Sequence, residues 1–245
     1  MTCAVVAVSA VIGGRSVARD EVLAWEAERL SAAAAKIGLP VPAGDLAHQR
    51  VMFTDSKIAL GAEEIKRRLR RDLRIGEGVA RAAVGLSRGR RAVSVCDLHV
   101  AGGSAREFAQ WFGDTSRADY VRSMVAAHPD HFLIQALPDG RQEVIETTGG
   151  SPAATRFLVD YLDTATLTTA RDPEFSEQIA GVARSGKGLP IGGVRHQLRD
   201  EPGGFHARLC VEFPRLTMPR ILSEHRKHLA IEFSNWVESA FNASH

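Results

Sequence analysis

The residues best suited to chemistry are three histidines, a glutamate and a tyrosine in the C-terminal two thirds of the chain. His196 lies in the first of two alternating runs, GGVRHQLRD and FHARLCVEF, separated by Glu201-Pro202-Gly203-Gly204. Pro and Gly between period-two runs predict a β-hairpin. Setting Asp200 opposite Phe205 places Leu198 against Ala207, His196 against Leu209 and Val194 against Val211. One face then collects Val194, Leu198, Phe205, Ala207, Leu209, Val211 and Phe213 around His196. The other collects Arg195, Gln197, Arg199, His206, Arg208 and Glu212 and reads as solvated. An imidazole on an apolar face is either a core residue bonded to a backbone group or a ligand-contacting or catalytic group, and both readings stay open.

The second candidate is the pattern His225-x-x-His228-x-x-x-Glu232-x-x-Asn235. It runs beside the helical core stripe Met218, Leu222, Leu229, Phe233, Trp236 and Ala240. Two imidazoles and a carboxylate on one side are what a metal site or a proton relay needs, but the same spacing describes the solvated border of an amphipathic helix. No strand residue is evidently directed at this stripe to supply a third ligand, so no metal is expected there. His225 lies nearest the core arc and is the member expected to touch a ligand. Tyr161 shares one face of RFLVDYLD with Phe157 and Val159, a polar tip in an apolar surround. Glu146, beside Phe132 in one register of its hairpin, faces either side depending on that register.

No cofactor is expected. The glycine pairs of ETTGGSP and LPIGG lack the Lys-Ser/Thr ending of a phosphate-binding loop and read as turns. No Ser, Cys or Asp has the context of a nucleophile elbow. Cys3, Cys96 and Cys210 are odd in number and widely spaced, which suggests neither disulfides nor zinc and makes a reducing cytoplasm the expected compartment. The apolar CAVVAVSAVIGG lacks a basic leader and is too short to span a bilayer, so it is expected to be a first strand or helix rather than a signal or anchor.

These residues need elements to position them. Residues 20–37 read as a helix ended by Gly38 and Pro40, PVPAGD as a connector, and residues 56–74 as a basic amphipathic helix with Ile58, Ala62, Ile65, Leu69 and Leu73 inward. Gly76, Gly78, Gly85 and Gly89 punctuate the chain up to a boundary near residue 90. Beyond it follow a strand (91–100), a short helix capped by Ser104, a helix over 116–127, and a hairpin of HFLIQAL and RQEVIETT about Pro138-Asp139-Gly140. Four more strand segments and a long helix over 219–242 complete the chain. The expected class is α+β: residues 1–90 a mainly helical region, residues 91–245 an antiparallel sheet gripping a terminal helix.

This element order, with HVAGGSAREFAQWFGDTS as first strand into first helix, resembles the helix-grip fold of the START/Bet v 1-like (SRPBCC) superfamily over roughly residues 91–243. That superfamily includes polyketide cyclases and lipid-transfer domains. The resemblance implies an apolar cavity between sheet and terminal helix. Phe157, Val159, Leu198, Leu209, Val211, Leu229 and Trp236 would wall it, and His196, Tyr161 and His225 would supply its chemistry. The implied function is to bind a hydrophobic or aromatic molecule, carrying it or catalysing cyclisation, dehydration or isomerisation by proton transfer.

Charge points to another class. Ten Lys/Arg between Lys66 and Arg91 against Asp72 and Glu77 concentrate +8 in one segment of a chain whose formal net charge is +2. Lys66, Arg67, Arg70, Arg71 and Arg74 would bind a nucleic acid or other polyanion. Without interleaved aromatics or a groove-reading motif nucleic acid is disfavoured. An acidic carrier protein or an anionic membrane surface that delivers the ligand is the alternative partner.

Overall fold

The computed structural model describes residues 6–242. Strands β1 (Ala7–Ile12) and β2 (Arg15–Val17) form a hairpin, followed by helices α1 (Arg19–Ile37), α2 (Leu46–Arg68) and α3 (Arg70–Ser87). Then come β3 (Arg91–Ala101), α4 (Ala105–Gly113), α5 (Tyr120–Ala126), β4 (His131–Ala136), β5 (Gln142–Glu146), a 3-10 turn (Thr148–Gly150) and β6 (Thr155–Asp160). The chain ends with β7 (Glu177–Ser185), β8 (Pro190–Glu201), β9 (Gly204–Pro214) and α6 (Pro219–Asn242). All nine strands join one antiparallel sheet in the order β2-β1-β3-β9-β8-β7-β6-β5-β4. Helix α6 packs across the sheet, so the architecture is α+β and fits a helix grip in general terms.

The expected β8–β9 register is the observed one: Val194 pairs with Val211, Leu198 with Ala207 and Asp200 with Phe205. The apolar face of that ladder joins Leu229, Phe233, Trp236 and Val237 of α6 in the main core. Ser104 caps α4 by accepting from the Glu107 N–H, and Asp45 caps α2 by accepting from His48 N–H.

Four expectations change at this level. The N-terminal region carries helices but opens with a hairpin that extends the sheet, β1 pairing with β3 along five residues from Ala7↔Ala101 to Val11↔Asp97. The helix expected over 56–74 belongs to two helices meeting at Leu69, and the glycine-punctuated stretch after it is helical. Gly76 is tolerated there because α3 lies against the 152–155 segment so closely that a Cβ would sit 2.7 Å from the Ala154 carbonyl oxygen. The helix expected over 116–127 is shorter, Tyr120–Ala126.

The fourth change concerns the outer face of β8 and β9, expected to be solvated. Arg195, Gln197, His206 and Glu212 are all buried, because the β6–β7 connection, residues 161–176, folds across them. Glu212 accepts from the backbone N–H and hydroxyl of both Thr168 and Thr169. Gln197 accepts from Asp172 N–H, and Phe175 lies beside the His206 ring. The backbone donors of this loop would otherwise be buried unpaired, so the polar face is what lets the loop close.

Candidate functional site

Between the sheet and α6 lies a cavity of about 480 Å3. The sheet contributes Ile134, Val144, Phe157, Val159, Val194 and Val211, and α6 contributes Phe233 and Trp236. At its rim stand Ile75, Val79 and Met218, which are exposed at 47%, 63% and 57% although apolar. The polar groups of the wall include Gln142, Tyr161, His196, Glu146, His225, His228 and Glu232, most of them buried. An apolar chamber with a few fixed polar groups is the usual form of a small-molecule site.

Of the residues expected in the site, His196, Tyr161, His225, Phe157, Val159, Val211 and Trp236 line the cavity. Leu198, Leu209 and Leu229 do not line it; each is fully buried in the main core, where it packs sheet against helix. His196 is bonded to a backbone group, as a core residue would be, and also lines the cavity. Between the Val194↔Val211 and Gln197↔Arg208 pairs of the β8–β9 ladder, His196 Nδ1 accepts from the Cys210 N–H at 3.3 Å. Its ring meets Phe233 and faces the cavity, and burial pushes its pKa down to about 4, against a weaker opposing pull from Glu232, so it is neutral at physiological pH.

Tyr161 donates to Gln142 Oε1 at 3.0 Å, and Gln142 donates to Tyr120 Oη at 2.8 Å. Burial pushes the Tyr161 phenol well above its ordinary value, so it acts as a hydrogen-bond donor and not as a phenolate. His225 Nδ1 lies 3.1 Å from Ser94 Oγ, and burial pushes the imidazole down to about 3, with His228 adding to the effect. The buried Cys96 and Cys210 are free thiols held protonated by burial, Cys210 up to about 11; Cys3 lies outside the described residues.

The polar stripe of α6 is not a solvated border. His225, His228, Glu232 and Asn235 are all buried, because α1 and the Thr148–Gly150 turn pack on that side of α6. Asn235 donates to Glu26 and to the Ala127 carbonyl, tying α1 and α5 to the terminal helix. The turn approaches so closely that a Cβ on Gly149, at φ 55°, would sit 2.5 Å from the Ile221 carbonyl oxygen. That approach delivers Glu146 to the helix.

The sheet does supply partners for the stripe, which the sequence did not reveal. Glu146 pairs directly across from His131 rather than beside Phe132, because the β4–β5 register shifts between His131 and Leu133. His131 Nε2 lies 3.1 Å from His228 Nε2 and 3.1 Å from Glu232 Oε2, and 3.7 Å from Glu146 Oε2. His228 Nε2 lies 3.6 Å from Glu232 and 3.8 Å from Glu146. Burial opposes charge on His228, but Glu146 and Glu232 outweigh it and push the imidazole up to about 9. Burial likewise opposes ionisation of Glu232, yet hydrogen bonds from His131 and His228 hold it well below the usual carboxylate range. This coupled set can store and deliver protons at the cavity wall, and its donor types suit a divalent metal.

A second histidine, His128, stacks on His228 with ring centroids 3.7 Å apart. Lys57 holds the intervening loop: its buried Nζ donates to the carbonyls of Val125, Pro129 and His131, at 2.8 Å to the last, and burial pushes it down to about 7. Of the basic segment, Lys66 pairs with Glu63 and Glu143, and Arg67 with Glu64. Arg70, Arg71 and Arg74 stand exposed on α3, which borders the cavity rim.

In comparison with known proteins, no family model matches this chain and no curated protein matches it. Among the described residues no helix is long and apolar enough to cross a membrane.

Proposed function

We propose that the protein binds a hydrophobic or aromatic small molecule between its sheet and terminal helix, in the manner of the START/Bet v 1-like proteins it resembles, and acts on it by proton transfer. The observation that carries this reading is the cavity itself, about 480 Å3 of mostly apolar wall with titratable side chains grouped on its α6 side. In such a chamber the apolar wall supplies affinity and the few polar groups set orientation. The Trp236 indole, whose Nε1–H has no partner among the described residues, is a donor for a carbonyl or phenol oxygen of the ligand, and the Tyr161 oxygen, whose hydrogen goes to Gln142, is an acceptor for a ligand hydroxyl. The His131–His228–Glu232–Glu146 set lies where a proton would be removed or returned during cyclisation, dehydration or isomerisation.

Binding is tested with the fluorescent probe N-phenyl-1-naphthylamine. Val211 lines the cavity, and Val211→Trp fills part of it. The expected result is micromolar binding by the wild type and at least a tenfold loss in Val211→Trp, with circular dichroism unchanged; equal binding by the two would overturn the reading. Native mass spectrometry of protein purified from its own host identifies any compound carried in the cavity.

A further inference from the structure

The four side chains that converge on α6 bring two imidazole Nε2 atoms and two carboxylate oxygens together, and without a proton shared among them all four are acceptors where they meet. His131 Nδ1 lies 3.0 Å from the Met124 carbonyl oxygen, which can only accept, so Nδ1 carries the hydrogen and the Nε2 of the neutral ring presents a lone pair. That lone pair faces His228 Nε2 at 3.1 Å, Glu232 Oε2 at 3.1 Å and Glu146 Oε2 at 3.7 Å. Glu146 is oriented from behind, its Oε1 accepting from Thr148 Oγ1 at 2.8 Å, which leaves Oε2 turned to the others. Buried acceptors in mutual contact repel unless something positive lies among them.

We propose that His131, His228, Glu146 and Glu232 form a binding site for a divalent first-row transition ion of the Zn(II) type, open to the cavity.

Bonds of roughly 2.0–2.2 Å to such an ion place tetrahedral ligand atoms about 3.3–3.6 Å apart, and the five separations that involve an imidazole run from 3.1 to 3.8 Å. Charge agrees with distance. With both carboxyls ionised, one proton shared in the cluster leaves a net negative charge in a buried place, whereas a divalent cation makes the site neutral. Two imidazoles and two carboxylates are borderline donors that suit Zn(II), Fe(II), Co(II) or Mn(II) better than Ca(II) or Mg(II). The bond from His131 to a backbone carbonyl and the bond from Thr148 to Glu146 are the outer contacts that metal ligands carry. Glu146, His228 and Glu232 line the cavity, so an oxygen of the occupant or a water completes the coordination there. Coordination by an occupant of the cavity rests on the proposed ligand-binding role; the ion site itself does not.

The neighbouring trio His128, Asp130 and His228 is a rival of the same residue types. Its donors are already engaged: Asp130 receives two bonds from Arg29 and one from Thr147, and His128 Nδ1 accepts from the Asp130 N–H. Asp130 is thus already neutralised and saturated by its partners, while the two carboxylates of the His131 set have no arginine or lysine beside them among the described residues.

The test uses the tag-free full chain, stripped with a chelator and titrated with Zn(II) alone by calorimetry, then with Co(II) by visible absorption. One ion per chain is expected, with dissociation constants at or below micromolar and the intense d–d bands of a four- or five-coordinate Co(II) complex. Glu232→Gln and Glu146→Gln should each weaken Zn(II) by at least about a hundredfold, while His128→Gln weakens it less than about tenfold. Wild type that binds no Zn(II) up to about 100 µM, a weak Co(II) spectrum of octahedral type, or loss in His128→Gln with retention in Glu232→Gln would each overturn the assignment. The Co(II) spectrum of the wild type decides the matter even where a variant fails to fold. Binding of N-phenyl-1-naphthylamine by the stripped protein is a separate readout, so failure of the ion site and failure of the cavity reading are distinguishable.

Discussion

Glu212 and Glu232 are both buried carboxylates on the two sides of the same sheet, and their surroundings differ in kind. Glu212, on the outer face, is met by four donors from Thr168 and Thr169 and faces Arg91 at 3.9 Å. Glu232, on the inner side, is met by two imidazoles that themselves face each other and a second carboxylate. The first arrangement closes a loop over the sheet and leaves nothing for a ligand to satisfy. The second is short of positive charge and lies on a cavity. Burial alone therefore separates neither structural from functional polar groups; the balance of donors and acceptors does.

Breaking the outer carboxylate should have the largest effect. Glu212→Ala leaves two loop N–H groups and Arg91 without their partner and should cost about 3–5 kcal/mol in urea unfolding. Glu232→Gln in the metal-free protein keeps an oxygen that accepts from the imidazoles but loses the charge opposite His228, and should cost about 1–2 kcal/mol, less than Glu212→Ala. Equal losses would erase the distinction.

His196 sharpens the contrast through pH. Its folded pKa of about 4 lies below the unfolded value of about 6.5, so between those values the unfolded chain binds more protons and wild-type stability falls as pH drops. Glu232 of α6 pulls the other way, and burial outweighs it. His196→Leu lacks this penalty but leaves the Cys210 N–H without its acceptor. It should be less stable than wild type by about 1 kcal/mol at pH 7.5. It should then gain about 3 kcal/mol relative to wild type as pH falls from 6.5 to 4, so that the two denaturation curves cross.

The smallest effect belongs to the exposed arginines. Replacing Arg70, Arg71 and Arg74 together by Gln should change stability by no more than about 0.5 kcal/mol. Shortened retention on heparin in the same variant is the measurement expected if α3 engages polyanions.

Period-two patterning made the hairpin of β8 and β9 legible to the residue, because one face was uniformly apolar and the Pro-Gly-Gly turn left one register. The opposite face misled for a physical reason: its polar residues were chosen to bond a long connection, and residues 161–176 have no periodicity that announces where they lie. His131 stayed hidden and the side of Glu146 stayed open because they begin and end their strands and meet only through an irregularity at His131/Leu133. The α6 stripe was found by spacing but misjudged, since what covers it, α1 and the Gly149 turn, comes from distant chain. Gly76 counts in the sequence as one of four glycines punctuating a segment, whereas contact with Ala154 inside a helix is what requires it.

The N-terminal hairpin has a consequence for solubility. Without it, the eleven residues of β3 would present a long unpaired backbone edge to any other chain. With β1 laid along β3, the sheet instead ends in β2, three residues that include Arg15, a short and charged edge that offers poor pairing. At the far side β4 is blunted by α5 and α2 packed against it. The sheet is thus stopped at both ends, and a chain lacking residues 6–17 would be open to edge-to-edge aggregation with its own copies.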